Sequence, residues 1–396
     1  MKSRYDTKLA PKNRIGKLNV SNQKNFPRPT TRLFAAITVS LSITIISTGA
    51  LATQVYKYHS LSLAGAIEGE AMAIGGDNLI AGSAYLQGNS SRSAIVWSTD
   101  GTATVLPGLN GGARTFGAST NGIVVGYGST TIQALRGISW IGGVANELTT
   151  LGGSTSGAYD VNSNGVIVGF SDLVGNSKQH ATMWTNGSPV DLGSLGGDNS
   201  VAYGINETGQ IAGYSSTSTP GVQRATLWTT TGRLDLGTLG GTSSFSFDIN
   251  DAQQVVGWSY LFGNGGESRA TLWDQGQIIN LGSLGGSQSF AVAINSSGTA
   301  VGASLLPGNS REHAVMYRDS KVIDLNIYLS AERSAEGWYI TQARDISDAG
   351  AIVGWSLNSI TGEKQAFLLS PVPELPSIIL LITGLYGILL GRRAQS

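Results

Sequence analysis

The stretch Asp191–Gly197 reads DLGSLGG, and it returns as DLGTLGG at 235–241 and as NLGSLGG at 280–286. A glycine pair can cradle a phosphate, but an active site is normally built once. Recurrence after 44 and 45 residues points to architecture instead. The tryptophans carry the same beat: Trp97, Trp140, Trp184, Trp228 and Trp273 are 43, 44, 44 and 45 residues apart, and Tyr317 follows 44 later. Leu369 closes the series after a longer gap that holds an insertion around Glu332–Gly337. Periods near 44 residues signal stacked or ring-forming repeats.

Four short β signals recur in each unit. The first is AYDVN (158–162), matched by AYGIN, SFDIN, AVAIN and ARDIS further on. A tight turn leads to GVIVGFS (165–171) and its relatives. A variable loop follows, then HATMW (180–184), and last PVDLGSL with its glycine pair. Segments of about five residues suit strands and are too short for helices. Ala181, Ala225, Ala270, Ala314 and Ala366 share one register, and Gly169, Gly213, Gly257, Gly302 and Gly354 share another. Small residues there are expected where sheets press face to face.

The first fourth-type strand, within 55–65, precedes any complete unit, while the last unit stops after three strands. An orphan strand that completes the final sheet would clasp a ring and protect its edges; a solenoid has no need of it. The expectation is an all-β, seven-bladed β-propeller of four-stranded blades, closed by the N-terminal strand. In it the LGxLGG segments carry the chain between blades, and no helical pattern follows them as a phosphate loop would require.

These linkers, with the AxxIN…G…VG hairpins, resemble the bacterial HAF repeats, over about residues 65–370. His180-Ala181 and His313-Ala314 keep two letters of the His-Ala-Phe signature, and Ala366-Phe367 keeps the other two. The resemblance implies an exported repeat protein and brings no catalytic residue with it.

Composition agrees with a turn-dense, all-β protein. Of 396 residues 55 are glycine, roughly double average usage, and there is no cysteine, which excludes disulfides, thiolate metal sites and cysteine nucleophiles. The net charge of zero hides an uneven distribution. Residues 1–52 hold nine Lys or Arg against Asp6 alone, and 53–371 hold 14 basic against 23 acidic side chains. An acidic body excludes general nucleic-acid binding, which needs a basic footprint.

The ends read as addresses, so the chain divides into 1–52, a repeat body 53–370 and a tail 371–396. Leu33–Ala52 is an uncharged apolar run after the basic segment, ending Ala50-Leu51-Ala52. That is the small-x-small form of a signal-peptidase site; the run is also long enough for an uncleaved anchor. Either way the body is exported. The tail has Val372-Pro373-Glu374, an apolar stretch Ile378–Leu390 and then Arg392-Arg393. These three parts resemble the PEP-CTERM sorting signal, with Leu375 in place of the second proline, which follows as Pro376. The resemblance implies an exosortase-type processing partner, a transient membrane hold through the tail, and a place in the cell envelope, at the surface or in the extracellular matrix.

Chemistry is sparse. DVNSNG (160–165) opens like a calcium loop but has Ser171 where the bidentate glutamate belongs, so it reads as an Asx-type turn. Of the three histidines, His59 lies in a different strand type from His180 and His313; no metal site, cofactor or catalytic residue is assigned. Glu68, Glu70 and Asp77 read as solvated turn residues. Four residues before the aromatic anchors stand Arg136, His180, Arg224, Arg269 and His313. They are either a cationic rim that recognises acidic groups of an extracellular polysaccharide or another envelope component, or structural partners of linker carbonyls and nearby acids. The functional expectation is a non-enzymatic surface or matrix protein. The alternative is a secreted carbohydrate-active enzyme, with the insertion 330–341 (Glu332, Arg333, Glu336, Trp338, Tyr339) bordering a sugar site.

Overall fold

The computed structural model describes residues 54–373 apart from 77–78, 131–133 and 264–265. They belong to the second of two compact units, which divides from the first after Ala52. The architecture is all-β, with 28 strands among the described residues. Five sheets have four strands, and an eight-stranded one is two such units joined by a single parallel pairing, Gln179 with Asn199.

In chain order the four-stranded units run Ala66–Val105, Ala113–Glu147, Gly152–Asp191, Gly196–Asp235, Gly240–Gly282, Ser289–Asp324 and Trp338–Pro371. The last supplies three strands, and Tyr56–Leu61 pairs antiparallel with Lys364–Pro371 as its fourth. Val372 extends that pairing, its amide donating to the Val55 carbonyl at 2.8 Å. Ala50, Ala52, Asp77, Glu374, Pro376, Arg392 and Arg393 lie outside the described residues, as do the apolar stretches 33–52 and 378–390. No helix among the described residues is long and apolar enough to cross a membrane.

The cores lie between consecutive units. Val168 and Ala181 of the third pack with Ala202, Ile205, Ile211 and Trp228 of the fourth. The same arrangement joins Val353, Ala366 and Leu368 of the last unit to Ala71, Ile80, Ile95 and Trp97 of the first. The recurring aromatic anchors are all but sealed, from 0% exposed at Trp184 to 4% at Trp273. The recurring alanines are therefore the thin spots between sheets.

The recurring glycines have a different cause from the one expected. Each inner strand carries a β-bulge at the middle of its AxxIN-type motif. Ala158 pairs with Gly169 and Asp160 with Val168, so Tyr159 is left over. The same shift leaves Met72, Phe116, Tyr203, Phe247, Val292 and Arg344 unpaired in the other six inner strands. The bulge drives a carbonyl into the space opposite. A Cβ on Gly169 would overlap the Gly157 carbonyl oxygen, and one on Gly213 the Val201 oxygen. The close approach is within each sheet, not between sheets.

Gly213→Ala is expected to lower stability in urea unfolding by about 1–3 kcal/mol through overpacking. Gly209→Ala, in a hairpin with open space but φ +81°, should cost about 1–2 kcal/mol from backbone strain alone. A Gly213→Ala protein as stable as wild type would contradict the bulge geometry.

Candidate functional site

The seven bulge residues converge. Met72, Phe116, Tyr159, Tyr203, Phe247, Val292 and Arg344 line one central cavity of about 290 Å³, with no other residue in its lining. Units two to five supply the aromatic wall. Its rings touch in series, Phe116 to Tyr159 at 5.3 Å, Tyr159 to Tyr203 at 4.8 Å and Tyr203 to Phe247 at 5.3 Å between centroids. Burial pushes the Tyr159 and Tyr203 hydroxyls well above the usual phenol range, so both stay protonated as donors. A second set of aromatics on the adjoining strands backs this wall, with Tyr127 4.9 Å from Phe116 and Phe170 5.8 Å from Tyr159.

Units six, seven and one supply Val292, Arg344 and Met72. Arg344 makes no hydrogen bond or ion pair to any described residue, and its Nε is buried without a partner. The guanidinium lies over the Trp355 ring, 5.6 Å from its centroid. Burial lowers its pKa, opposed by the charges of Glu70, Asp345 and Glu312. Those carboxylates are engaged elsewhere. Glu70 pairs with Arg92 at 3.1 Å and Lys364 at 2.7 Å, and Glu312 accepts from Gln342 at 2.6 Å. Asp345 accepts from the amides of Ile74 and Ile346, each at 2.7 Å.

The cavity wall is held by buried polar contacts between units. Asn162 closes its own hairpin by accepting from the Asn164 and Val166 amides, which is the expected Asx-type turn, and its Nδ2 donates to the Asn206 carbonyl of the next unit at 3.2 Å. Asn206, Asn250 and Asn295 repeat the reach to Asn250, Asn295 and Ser347. Asp160, beside Tyr159, is not a turn residue: its two oxygens accept from the Val161 amide and from the Ile205 amide of the next unit. Asp248 and Asp345 do the same toward Ile294 and Ile74. The last of these ties the seventh unit to the first.

The five rim side chains stand at the starts of third strands beside the linkers. Each is engaged and largely covered, with side chains 14–22% exposed. Arg136 pairs with Glu147 at 3.1 Å, His180 with Asp191 at 2.8 Å and His313 with Asp324 at 2.7 Å. Arg224 reaches Asp235 at 3.5 Å and the Thr242 carbonyl. Arg269 bonds the Ser287 carbonyl at 2.7 Å and Glu267 at 3.2 Å. They are disposed as braces of outer strands and linkers. Glu68 and Glu70 are not solvated turn residues: they lie on a strand and pair with Arg92. The insertion forms a short helix, Ala331–Ala335, capped by Ser330; Arg333 lies over Trp338 at 4.6 Å and Tyr58 at 5.0 Å, which anchors it to the last sheet. Among the described residues no His, Asp or Glu cluster could hold a metal ion.

No protein-family model matches the chain, and no curated protein matches it. Solved structures do resemble it in fold. A structure from a study of two prolyl endopeptidases aligns with a TM-score of 0.52 at 9% identity, over 78% of this chain and 51% of that one. A puromycin hydrolase aligns with 0.49 at 11% identity, over 79% and 56%. A Trypanosoma rangeli sialidase aligns with 0.35 at 11% identity, over 80% and 55%. The chain spans about half the length of these proteins, and at such identities the likeness concerns fold alone.

Two outcomes follow from these contacts. Burial pushes Asp160 up to about 7 and Asp345 to about 6, against the two backbone amides that each accepts from; burial and the Asp160 charge raise Asp248 as well. Unfolded carboxyls titrate near ~4, so between there and ~7 the folded chain holds more protons, and stability falls as pH rises. The urea midpoint should drop from pH 5 to pH 8, and drop less in Asp160→Asn; an equal drop would contradict the assignment. Separately, Arg269→Ala should cost about 1–3 kcal/mol in the same assay, as it strips a charged donor from the Ser287 carbonyl; a neutral substitution would return Arg269 to the list of free cations.

Proposed function

We propose that the chain is an exported, non-enzymatic propeller that binds a glycan or another envelope component at its central cavity. The seven units are its blades, and Tyr56–Leu61 closes the ring. Three links between the last and first units support closure: the packing of Ala366 and Leu368 against Ala71 and Trp97, the Asp345–Ile74 bond and the Lys364–Glu70 pair. Export rests on the basic segment and apolar run of 1–52 and on the HAF-repeat and PEP-CTERM resemblances. They make an exosortase-type enzyme the processing partner, the membrane a transient hold, and the envelope, surface or matrix the destination.

The observation that carries the binding reading is the cavity lining itself. It offers stacking faces, two phenol donors and one guanidinium without a protein partner, which is the equipment of a recognition site. The usual two-carboxyl route of glycoside hydrolysis finds no carboxylate in the lining. The solved relatives named as hydrolases share a fold that hosts many activities.

The test is a titration of the full-length protein against extracellular polysaccharide from the source organism. Tyr159→Ala with Tyr203→Ala should weaken binding about tenfold or more, the loss of roughly 1.4 kcal/mol. The triple rim variant Arg136→Ala, Arg224→Ala, Arg269→Ala should bind as wild type wherever it remains folded. Binding lost in the rim variant but kept in the tyrosine variant would overturn the placement.

A further inference from the structure

The geometry points to a carboxylate-bearing sugar residue, a hexuronic acid, as what the central cavity holds, with Arg344 on the carboxylate and the Tyr159–Tyr203 wall on the ring. This deepens the binding reading above and rests on it.

The first ground is the unspent guanidinium. An arginine has five N–H donors in a planar fork, and none of those of Arg344 meets a described protein acceptor. The nearby carboxylates do not bond it, each being held by other donors. The Arg344 Nε is buried without a partner, a costly state for a polar group, and a bidentate carboxylate from outside would supply the missing acceptor. The second ground is stoichiometry. Arg344 is the one charged group in the lining, so it neutralises a single negative charge and gives a dianionic phosphate no second cation.

The third ground is the wall. Four aromatic side chains from consecutive units form a continuous apolar surface across from aliphatic Val292 and Met72. A pyranose ring presents C–H faces to such a wall and hydroxyls to its edges. The Tyr159 and Tyr203 hydroxyls, both protonated, make no hydrogen bond to described residues and are open to those hydroxyls. The cavity of about 290 Å³ suits one sugar residue, with the rest of a chain leaving through the mouth.

The structure builds the site from variation. At the bulge position the residue does not pair within its sheet and its side chain faces the cavity, so it is free to differ from unit to unit. Five residue types, Met, Phe, Tyr, Val and Arg, occupy the seven registers. The single arginine is thus a choice made at a permissive position.

The experiment uses full-length protein and three probes: a galacturonic acid trimer, its fully methyl-esterified form and benzoate. Trp355, beside the guanidinium, reports through its emission, with calorimetry alongside. The trimer should bind at least tenfold more tightly than its ester. Arg344→Met should erase that preference, and Arg344→Lys should keep part of it, with unfolding midpoints confirming that both variants fold. Equal binding of trimer and ester, or a preference that survives in Arg344→Met, would overturn the assignment. Benzoate binding as tightly as the trimer would keep the carboxylate on Arg344 but overturn the sugar. If the trimer fails while the native polysaccharide binds, the uronate assignment falls and the binding reading stands; if neither binds, both fall.

Discussion

Everything at the centre of this molecule depends on one local conflict: an inner strand with one residue more than its partner can pair. The extra residue bulges, the carbonyl two residues before it swings into the sheet, and only glycine fits opposite. At Gly82, Gly126, Gly169, Gly213, Gly257, Gly302 and Gly354 an added Cβ would collide with that carbonyl. The glycine fixes the bulge, and the bulge turns one side chain per unit out of the packed layers. Seven such side chains make the cavity.

The layers around it must be rigid for that geometry to hold, and they are stitched by polar groups where an ordinary core would be greasy. Ser200, Ser244 and Ser289 are fully buried and accept the amides of Ala181, Ala225 and Ala270 in the preceding unit. Each such group would cost about 1–3 kcal/mol if left unpaired, so a unit out of register loses its stitches together. The acids follow the same logic in alternation. Asp160, Asp248 and Asp345 belong to the third, fifth and seventh units, and Gly117, Gly204 and Ala293 stand at the matching places in the units before them. A Cβ at Gly204 would press on the Asp248 backbone, so one residue makes room for the other.

Much of this was legible in the sequence, though not the site. Period, strand type and the orphan strand at 56–61 follow from tryptophan spacing and from counting, because packing between units imposes the same small and apolar residues at each turn of the repeat. Arg136, Arg224 and Arg269 drew attention by recurring, yet recurrence is what a brace does: each meets an acid or a linker carbonyl that recurs with it. The residues of the cavity were hidden in plain view as the variable letter of AxxIN. Tyr159, Tyr203, Phe247, Val292 and Arg344 break an otherwise uniform motif, and that departure was the available signal. What sequence could not supply was the bulge, since pairing registers arise only when both strands are present. Glu68 and Glu70 were misplaced for a similar reason, because Arg92 and Lys364 lie 22 and 294 residues from Glu70.

The most direct test of the account is a crystal structure of the protein grown with an oligogalacturonate. The carboxylate is expected on the Arg344 guanidinium and the sugar ring against Tyr159 and Tyr203, with seven inner strands around it. A ligand seated at the linkers against Arg136, Arg224 or Arg269, with the central cavity empty, would contradict it.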